Sequence, residues 1–300
     1  MELRTLRYFL ELARSGSISG AARVLHVTQP TLSRQLNDLE KELDTRLFER
    51  GARQITLTDK GKRLFEYAKT IVEVSDKAFS ELVSSKEAIR GDVYIGAGET
   101  RAIDVMHRAG VAMQKDYPHI RYHLYSGVTE ELLPRFDSGF FDFLLECELH
   151  KRANCNTIEL HDADRWGVVM RTDCELASLE RITPADLEGR RLITPLWAFE
   201  NIIRQWAGES FNKYQRVATF SLPLLGMFLV RDGMGEMLSY ERLIDTTEDG
   251  TLVFRELYPE VLSSHGIHWK KHRELSPAAS IYLDYLLDAC GIQDKERYRR

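Results

Sequence analysis

Three hundred residues are more than one small domain needs and allow two or three. The formal net charge of −5 argues against a chain that coats nucleic acid along its whole length. No apolar run can cross a bilayer, no signal-peptide pattern opens the chain, and Cys147, Cys155, Cys174 and Cys290 lack Cys-x-x-Cys spacing, so a cytoplasmic protein with free thiols and no membrane contact is expected.

Leu6, Phe9, Leu10 and Ala13 recur at helical spacing and predict a first core helix. Ser15-Gly16-Ser17 breaks and recaps the chain, and small Ala21 and Ala22 allow the next helix to pack closely. From Ala21 to Glu40 the sequence reads as two short helices with a tight connection. With Leu32 as the origin of a helical wheel, Leu36, Leu39 and Leu43 fall within about 40° of it, one narrow apolar stripe. Ser33, Asn37, Pro30, Lys41 and Arg34 fall on the opposite face, free for phosphates and base edges. Thr28 can cap this helix, and Pro30 suits its first turn. Taken alone, the stretch is equally an ordinary amphipathic surface helix. Downstream, Leu47-Phe48-Glu49-Arg50 leads through Gly51 to Gln54-Ile55-Thr56-Leu57-Thr58, which alternates like a short strand, with Arg50 and Arg53 on that hairpin. Three helices and a basic wing predict a winged helix-turn-helix whose third helix reads the major groove. Residues 1–65 carry a net charge of +4 and residues 91–300 one of −8, so DNA contact is expected only at the head.

These residues resemble the LysR-type transcriptional regulators. The match runs from Leu6-Arg7-Tyr8-Phe9 through Gln29-Pro30-Thr31-Leu32-Ser33-Arg34-Gln35 and Leu39-Glu40-Lys41-Glu42-Leu43 to Leu47-Phe48-Glu49-Arg50 and Leu57-Thr58-Asp59-Lys60-Gly61. The resemblance implies that Gln29, Pro30, Ser33 and Arg34 face the groove and that Arg53 enters the minor groove from the wing. The chemistry agrees: a Gln can bond adenine in a bidentate way, Pro30 or Thr31 can touch a thymine methyl, and Arg34 can pair with guanine or a phosphate. Sequence leaves the role of Arg34 open.

A long helix is predicted from about Thr58 to Ala88. Leu64, Ile71 and Ala78 recur every seven residues, as do Phe65, Val72 and Phe79, and Ala68, Ser75 and Leu82. Such a repeat asks for a partner surface: the chain's own body, or, as the resemblance implies, a second linker helix in a homodimer or homotetramer on a roughly palindromic site.

Beyond Ile89-Arg90-Gly91-Asp92 the pattern becomes strand, helix, strand, helix, strand: Val93–Gly98, about Thr100–Asp116, Ile120–Tyr125, a helix after Gly127-Val128-Thr129 that Pro134 interrupts, and Gly139–Leu145. This predicts a parallel α/β sheet. A second unit opens near Trp166–Met170, and the chain returns near Gly266–Trp269 to end in a helix from Pro277 to Ala289. Crossings near Asp162 and Ser263 would form a hinge. This matches the two-lobed, periplasmic-binding-protein-like effector domain of the family. The expected divisions are a winged helix-turn-helix over 1–60, a linker or dimerisation helix over 61–89 and an effector-binding domain over 90–300. Within it, lobe I covers about 90–162 and 264–300, and lobe II about 163–263.

Ligands of such folds sit at strand C-termini and helix N-termini. Thr100 and Thr129 occupy those places and align with hydroxyls that contact effectors in the family, although each could simply cap a helix. Arg101, beside Thr100, could attract an acid or face water. In lobe II, Pro195, Leu196 and Trp197 follow a strand, and Ser221 and Leu222 precede a helix. Two helix N-termini with hydroxyls favour a small carboxylate or other polar metabolite. Glu236 and Tyr240 depart from the apolar residue and proline often found in the family; Glu236 would either be solvated or line the cleft and favour a cation. His265, His268 and His272 fit the ordinary return strand better than a metal site, since alternation sends His265 and His268 to opposite faces.

The sequence thus points to a regulator that binds double-stranded promoter DNA and senses a small molecule. No catalytic group, metal or cofactor is expected, and RNA polymerase is a further candidate partner. The alternatives are an architectural DNA-binding protein without sensing and a thiol-redox sensor, for which Cys147 and Cys155 are close enough in sequence and have only Lys151 and Arg152 as activating neighbours.

Overall fold

Leu6, Phe9 and Leu12 of α1 (Leu3–Ser15) lie almost wholly out of solvent, where they meet Ala21 of α2 (Ile18–Val24) and Leu32, Leu36 and Leu39 of α3 (Gln29–Glu42). The computed structural model describes residues 1–50, 54–83, 90–246 and 250–298. The chain divides into two units, residues 1–84 with 138–140, and residues 85–137 with 141–300.

The local signals act as expected in the first unit. Gly16 ends α1 in the left-handed region at φ 63°, and Ser17 caps α2 by accepting from Gly20 N. Thr28 caps α3 by accepting from Thr31 N, with Pro30 in the first turn. Leu43 differs: it is the residue that ends α3 and is 39% exposed, so the apolar stripe stops at Leu39. The wing is a two-stranded antiparallel ribbon, β1 (Phe48–Arg50) and β2 (Ile55–Leu57). Two contacts hold it on the helices. Glu40 Oε1 accepts from Leu47 N at 2.6 Å, and Ile55 N donates to Gly16 O at 2.8 Å.

The long helix is α4 (Asp59–Val83), and its expected end near Ala88 lies outside the described residues. Thr58 sets its start by accepting from Gly61 N at 3.0 Å while donating to Arg46 O at 2.8 Å. Gly61 is there because a Cβ at that position would overlap the Leu47 carbonyl oxygen. Leu64, Phe65, Ala68 and Val72 pack on the head's own core, so the first part of the seven-residue repeat serves this unit. Tyr67 and Phe79 are each 70% exposed in the single chain, with Ile71 between them also exposed.

The second unit begins with β3 (Gly91–Ala97), α5 (Ile103–Asp116), β4 (Ile120–Ser126), α6 (Thr129–Asp137) and β5 (Phe143–Glu146). β3 runs parallel to both β4 and β5. The helix expected from Thr100 starts at Ile103, after a turn in which Thr100 Oγ1 accepts from Ala102 N. Pro134 does not interrupt α6. It lies on the exposed side, so water can satisfy the carbonyl acceptor that it deprives of a donor, while Leu132 and Phe136 anchor the helix.

β6 (Cys155–Arg171) then runs for 17 residues without a break. Beyond it come β7 (Arg181–Ile182), β8 (Arg191–Pro195), a π-helical turn (Phe199–Ile203) that continues into α7 (Arg204–Ala207), and β9 (Gln215–Phe220). The chain continues through α8 (Pro223–Arg231), β10 (Glu236–Tyr240), β11 (Leu252–Leu257), β12 (Leu262–Lys270) and α9 (Pro277–Ala289). The strands follow the order β4-β3-β5-β12-β6-β10-β8-β9, with β11 also paired to β6 and β7 to β11. This curled sheet carries two lobes. One core gathers Val93, Ile95, Met106, Phe143, Tyr282 and Leu286; another gathers Trp166, Val168, Leu192, Ile203, Phe211 and Leu238. Both crossings are strands, β6 and β12, bonded antiparallel to each other with one irregularity between Ser263 and His265.

Candidate functional site

The burial of Leu32, Leu36 and Leu39 fixes which side of α3 faces out. Thr28, Gln29, Pro30, Thr31, Arg34 and Asn37 are exposed, and Ser33 is half-buried. Arg34 is 84% exposed, with the Asp38 carboxylate at 3.9 Å, and Lys41 reaches the same carboxylate at 3.6 Å. Gln29 Oε1 accepts from Ser19 Oγ at 3.1 Å, which ties the first residue of α3 to α2. The helix therefore presents amide, hydroxyl and guanidinium groups on one surface while leucines hold the other side. Arg50 ends β1, and its side chain lies outside the described residues, as does Arg53 altogether.

In the second unit a cavity of about 150 Å³ opens at the C-terminal ends of β3, β5 and β8. Thr129, Pro195, Trp197 and Ser221 line it. Thr100, Arg101, Leu196 and Leu222 do not. Thr100 is buried and donates to Asp164 Oδ2 at 2.5 Å, with His265 Nε2 at 3.3 Å from its hydroxyl. Arg101 turns to Asp104 at 3.1 Å, and Leu196 is exposed. Glu236 also lies away from the cavity, with Arg190 at 4.0 Å.

Of the residues that give the cavity its character, sequence reasoning named Trp197 and passed over the others as ligand contacts. Trp166, Trp197 and Tyr240 form an aromatic wall, with Trp166 and Tyr240 ring centroids 4.5 Å apart. Glu99, Glu130 and Glu148 bring three carboxylates to its lining. Glu99 and Glu148 stand just past β3 and β5, and Glu130 lies in the first turn of the helix that follows β4, positions that should have drawn attention to them. Burial, partly offset by His150 and reinforced by Glu130 and Glu146, raises the Glu148 carboxyl above its ordinary value. Cys147 also lines the cavity, and burial among Asp164, Glu99, Glu148 and Glu146 pushes its thiol well above its ordinary value.

His265 and His268 are both fully buried and face apart, His265 beside Asp164 and His268 with Nε2 3.1 Å from Glu146. Arg152 holds Glu146 from a second side, at 2.6 Å. Among the described residues no group of His, Cys, Asp and Glu is arranged to hold a metal ion, and no helix is long and apolar enough to cross a membrane.

Comparison with known proteins gives this geometry a family. Residues 3–62 match the family described as bacterial regulatory helix-turn-helix protein, lysR family, and residues 86–291 match the LysR substrate binding domain. The chain belongs to the LysR family. This LysR-type transcriptional regulator joins a DNA-binding helix-turn-helix to an effector-binding domain. It is 28% identical over 292 residues to the transcriptional dual regulator GltC of Bacillus subtilis strain 168, covering 96% of this chain and 97% of GltC. It is 29% identical over 194 residues to the DNA-binding transcriptional dual regulator OxyR of Escherichia coli K12, covering 64% of this chain and 63% of OxyR. Its fold is similar to that of the LysR family regulator CbnR, with a TM-score of 0.74 at 18% identity over 97% of this chain and 99% of CbnR. A CbnR complex with its target DNA matches with a TM-score of 0.72 at 18% identity, over 96% of this chain and all of that CbnR chain.

Proposed function

We propose that this regulator reads promoter DNA through the exposed face of α3 and that a small molecule in the inter-lobe cavity sets how it holds that DNA. Thr28, Gln29, Pro30, Thr31, Ser33, Arg34 and Asn37 make the major-groove contacts, with Arg50 and Arg53 contributing from the wing. The observation that carries this reading is the division of α3 into a buried leucine face and a largely exposed polar face. The expected divisions at residues 60, 90 and 162–163 and 263–264 stand as part of the same proposal. The exposed Tyr67, Ile71 and Phe79 of α4 favour a homodimer or homotetramer, so that two heads meet two half-sites. The protein acts in the cytoplasm and carries out no reaction of its own, in keeping with relatives that regulate transcription. RNA polymerase is the partner through which a bound dimer would act.

The cavity favours a sensing regulator over a purely architectural one. The OxyR likeness raises the thiol alternative, but Cys147 has acidic rather than cationic neighbours and a raised thiol, the opposite of what an oxidant-reactive cysteine needs. The test is binding of the purified protein to the DNA upstream of its own gene, against scrambled DNA, across a salt series. Preference for the upstream fragment that persists as salt rises supports sequence reading. Equal and steeply salt-sensitive binding to both counts against it.

A further inference from the structure

The cavity of the second unit has a charge and a shape that together select a ligand class. Glu99, Glu130 and Glu148 line it, and among the described residues no Lys or Arg does. Among the described residues His150 is the one lining residue able to carry a positive charge. Even protonated, it leaves the lining with an excess of two negative charges when the three carboxylates are ionised. The α6 N-terminus offers little to an anion, because Glu130 and Glu131 already stand in its first turn.

A second observation is independent of the carboxylates. Ser239 is 3% exposed, lines the cavity, and among the described residues its Oγ has no hydrogen-bond partner. A buried hydroxyl in that state asks for a polar group of a ligand. The aromatic wall supplies the rest. Trp166 Nε1 donates to Ser263 Oγ at 2.9 Å and Tyr240 Oη donates to Cys147 O at 3.4 Å, so both polar tips are engaged by protein. What these two residues offer the cavity is ring surface. Ring faces beside carboxylates suit a cation with an apolar body.

We infer that the effector of this regulator is a small organic cation, an ammonium or amidinium on an apolar body about the size of one six-membered ring. Its charge sits among Glu99, Glu130 and Glu148, an N–H donates to Ser239 Oγ, and its body lies on Trp166, Trp197 and Tyr240. A cavity near 150 Å³ matches a body of about six to nine non-hydrogen atoms. This inference rests on the reading of the inter-lobe cavity as the effector site. It reverses the preference for a carboxylate that helix N-termini alone suggest.

Three probes of equal bulk separate the terms: benzylamine, benzyl alcohol and benzoate, added to the full-length protein and followed by tryptophan fluorescence and melting temperature. Benzylamine is expected to bind saturably and raise the melting temperature. Benzyl alcohol should bind about tenfold more weakly, and benzoate without saturation. In the double variant Glu130→Gln/Glu148→Gln, benzylamine affinity falls about tenfold while that of benzyl alcohol stays within about twofold; a merely structural role would weaken both alike. Benzoate binding as tightly as benzylamine, or no saturable benzylamine binding, overturns the inference. So does equal weakening of amine and alcohol in the double variant. Trp197→Ala separates this failure from failure of the site itself. Benzoate binding that Trp197→Ala abolishes sinks the charge class and leaves the cavity as the site. Affinity for whichever probe binds that Trp197→Ala leaves unchanged places the probe elsewhere and sinks both.

Discussion

The hydroxyl of Thr100 donates to the carboxylate of Asp164 across 2.5 Å, joining the turn after β3 to the middle of β6. A residue whose position suggests a ligand contact is instead a buried tie within the protein, with His265 completing the cluster. Thr100→Val keeps the shape and removes the donor, leaving a buried carboxylate short of one partner. The expected loss is about 1–3 kcal/mol, read as a lower denaturant midpoint with unchanged slope by tryptophan fluorescence. All four tryptophans, at 166, 197, 206 and 269, lie in the second unit, so this signal reports that unit alone. A loss of stability below about 0.3 kcal/mol would remove the structural role assigned to the hydroxyl.

Glu148 is held in the protein with its carboxyl raised by burial, so the folded state binds a proton more readily than the unfolded chain. Its contribution is therefore favourable at low pH and is lost as pH rises from the unfolded value, about 4.3, through the raised folded one. Near neutral pH the ionised side chain opposes folding. Glu148→Gln should accordingly raise the melting temperature of the ligand-free protein at pH 7 and narrow its advantage as the pH falls toward 4. A lower melting temperature at pH 7 would contradict this.

Glu146 has the opposite sign. Burial pushes its carboxyl up, but the close approach of His268 and the two hydrogen bonds from Arg152 outweigh that and hold it below its ordinary value. The stability it supplies is present above about pH 4.3 and drains as pH falls through the folded value. Glu146→Gln is expected to be less stable than the parent at pH 7 and to lose less on acidification from pH 5 to pH 3. Parallel stability curves for the two proteins would refute the assignment.

Gly61→Ala should strike the head alone. The added methyl meets the Leu47 carbonyl oxygen, a backbone atom with little freedom to move away. Overpacking of this kind costs about 1–3 kcal/mol. Amide hydrogen exchange should quicken in α1, α2 and α3 while tryptophan fluorescence melting of the second unit stays put.

Arg34→Ala tests the reading face of α3. If the guanidinium pairs with a base, affinity for the operator falls by about 1–3 kcal/mol and specificity relaxes at one position. A uniform loss on every sequence means that the side chain grips only phosphate.

The parts of the structure that sequence made visible are those governed by near neighbours. Gly16 and Ser17, Thr28 with Pro30, and the stripe Leu32-Leu36-Leu39 act within one or two helical turns, and each does in the structure what its type and spacing imply. The final helix, Pro277–Ala289, follows from the same kind of signal. The cavity did not follow in this way. Thr100 finds its partner at Asp164, and the carboxylates at 99, 130 and 148 converge only because three parallel strands end together. Position after a strand was the right signal. The hydroxyls of Thr100 and Thr129 carry that signal, and so does the glutamate one place away from each. Pro134 misled for another reason: it lies on the exposed side of α6, where water can take the place of the lost donor and the buried Leu132 and Phe136 hold the helix in place.

β6 and β12 carry the chain between the lobes as one bonded pair of strands rather than as two loops. Rotation of one lobe against the other must then be absorbed as added or released twist along that ribbon, with the irregularity at Ser263 and His265 as its softest point. A connection of this kind behaves as a torsion spring with a restoring force, not as a free pivot. Its resting angle belongs to the empty protein, and a ligand shifts that angle in proportion to how strongly it prefers another.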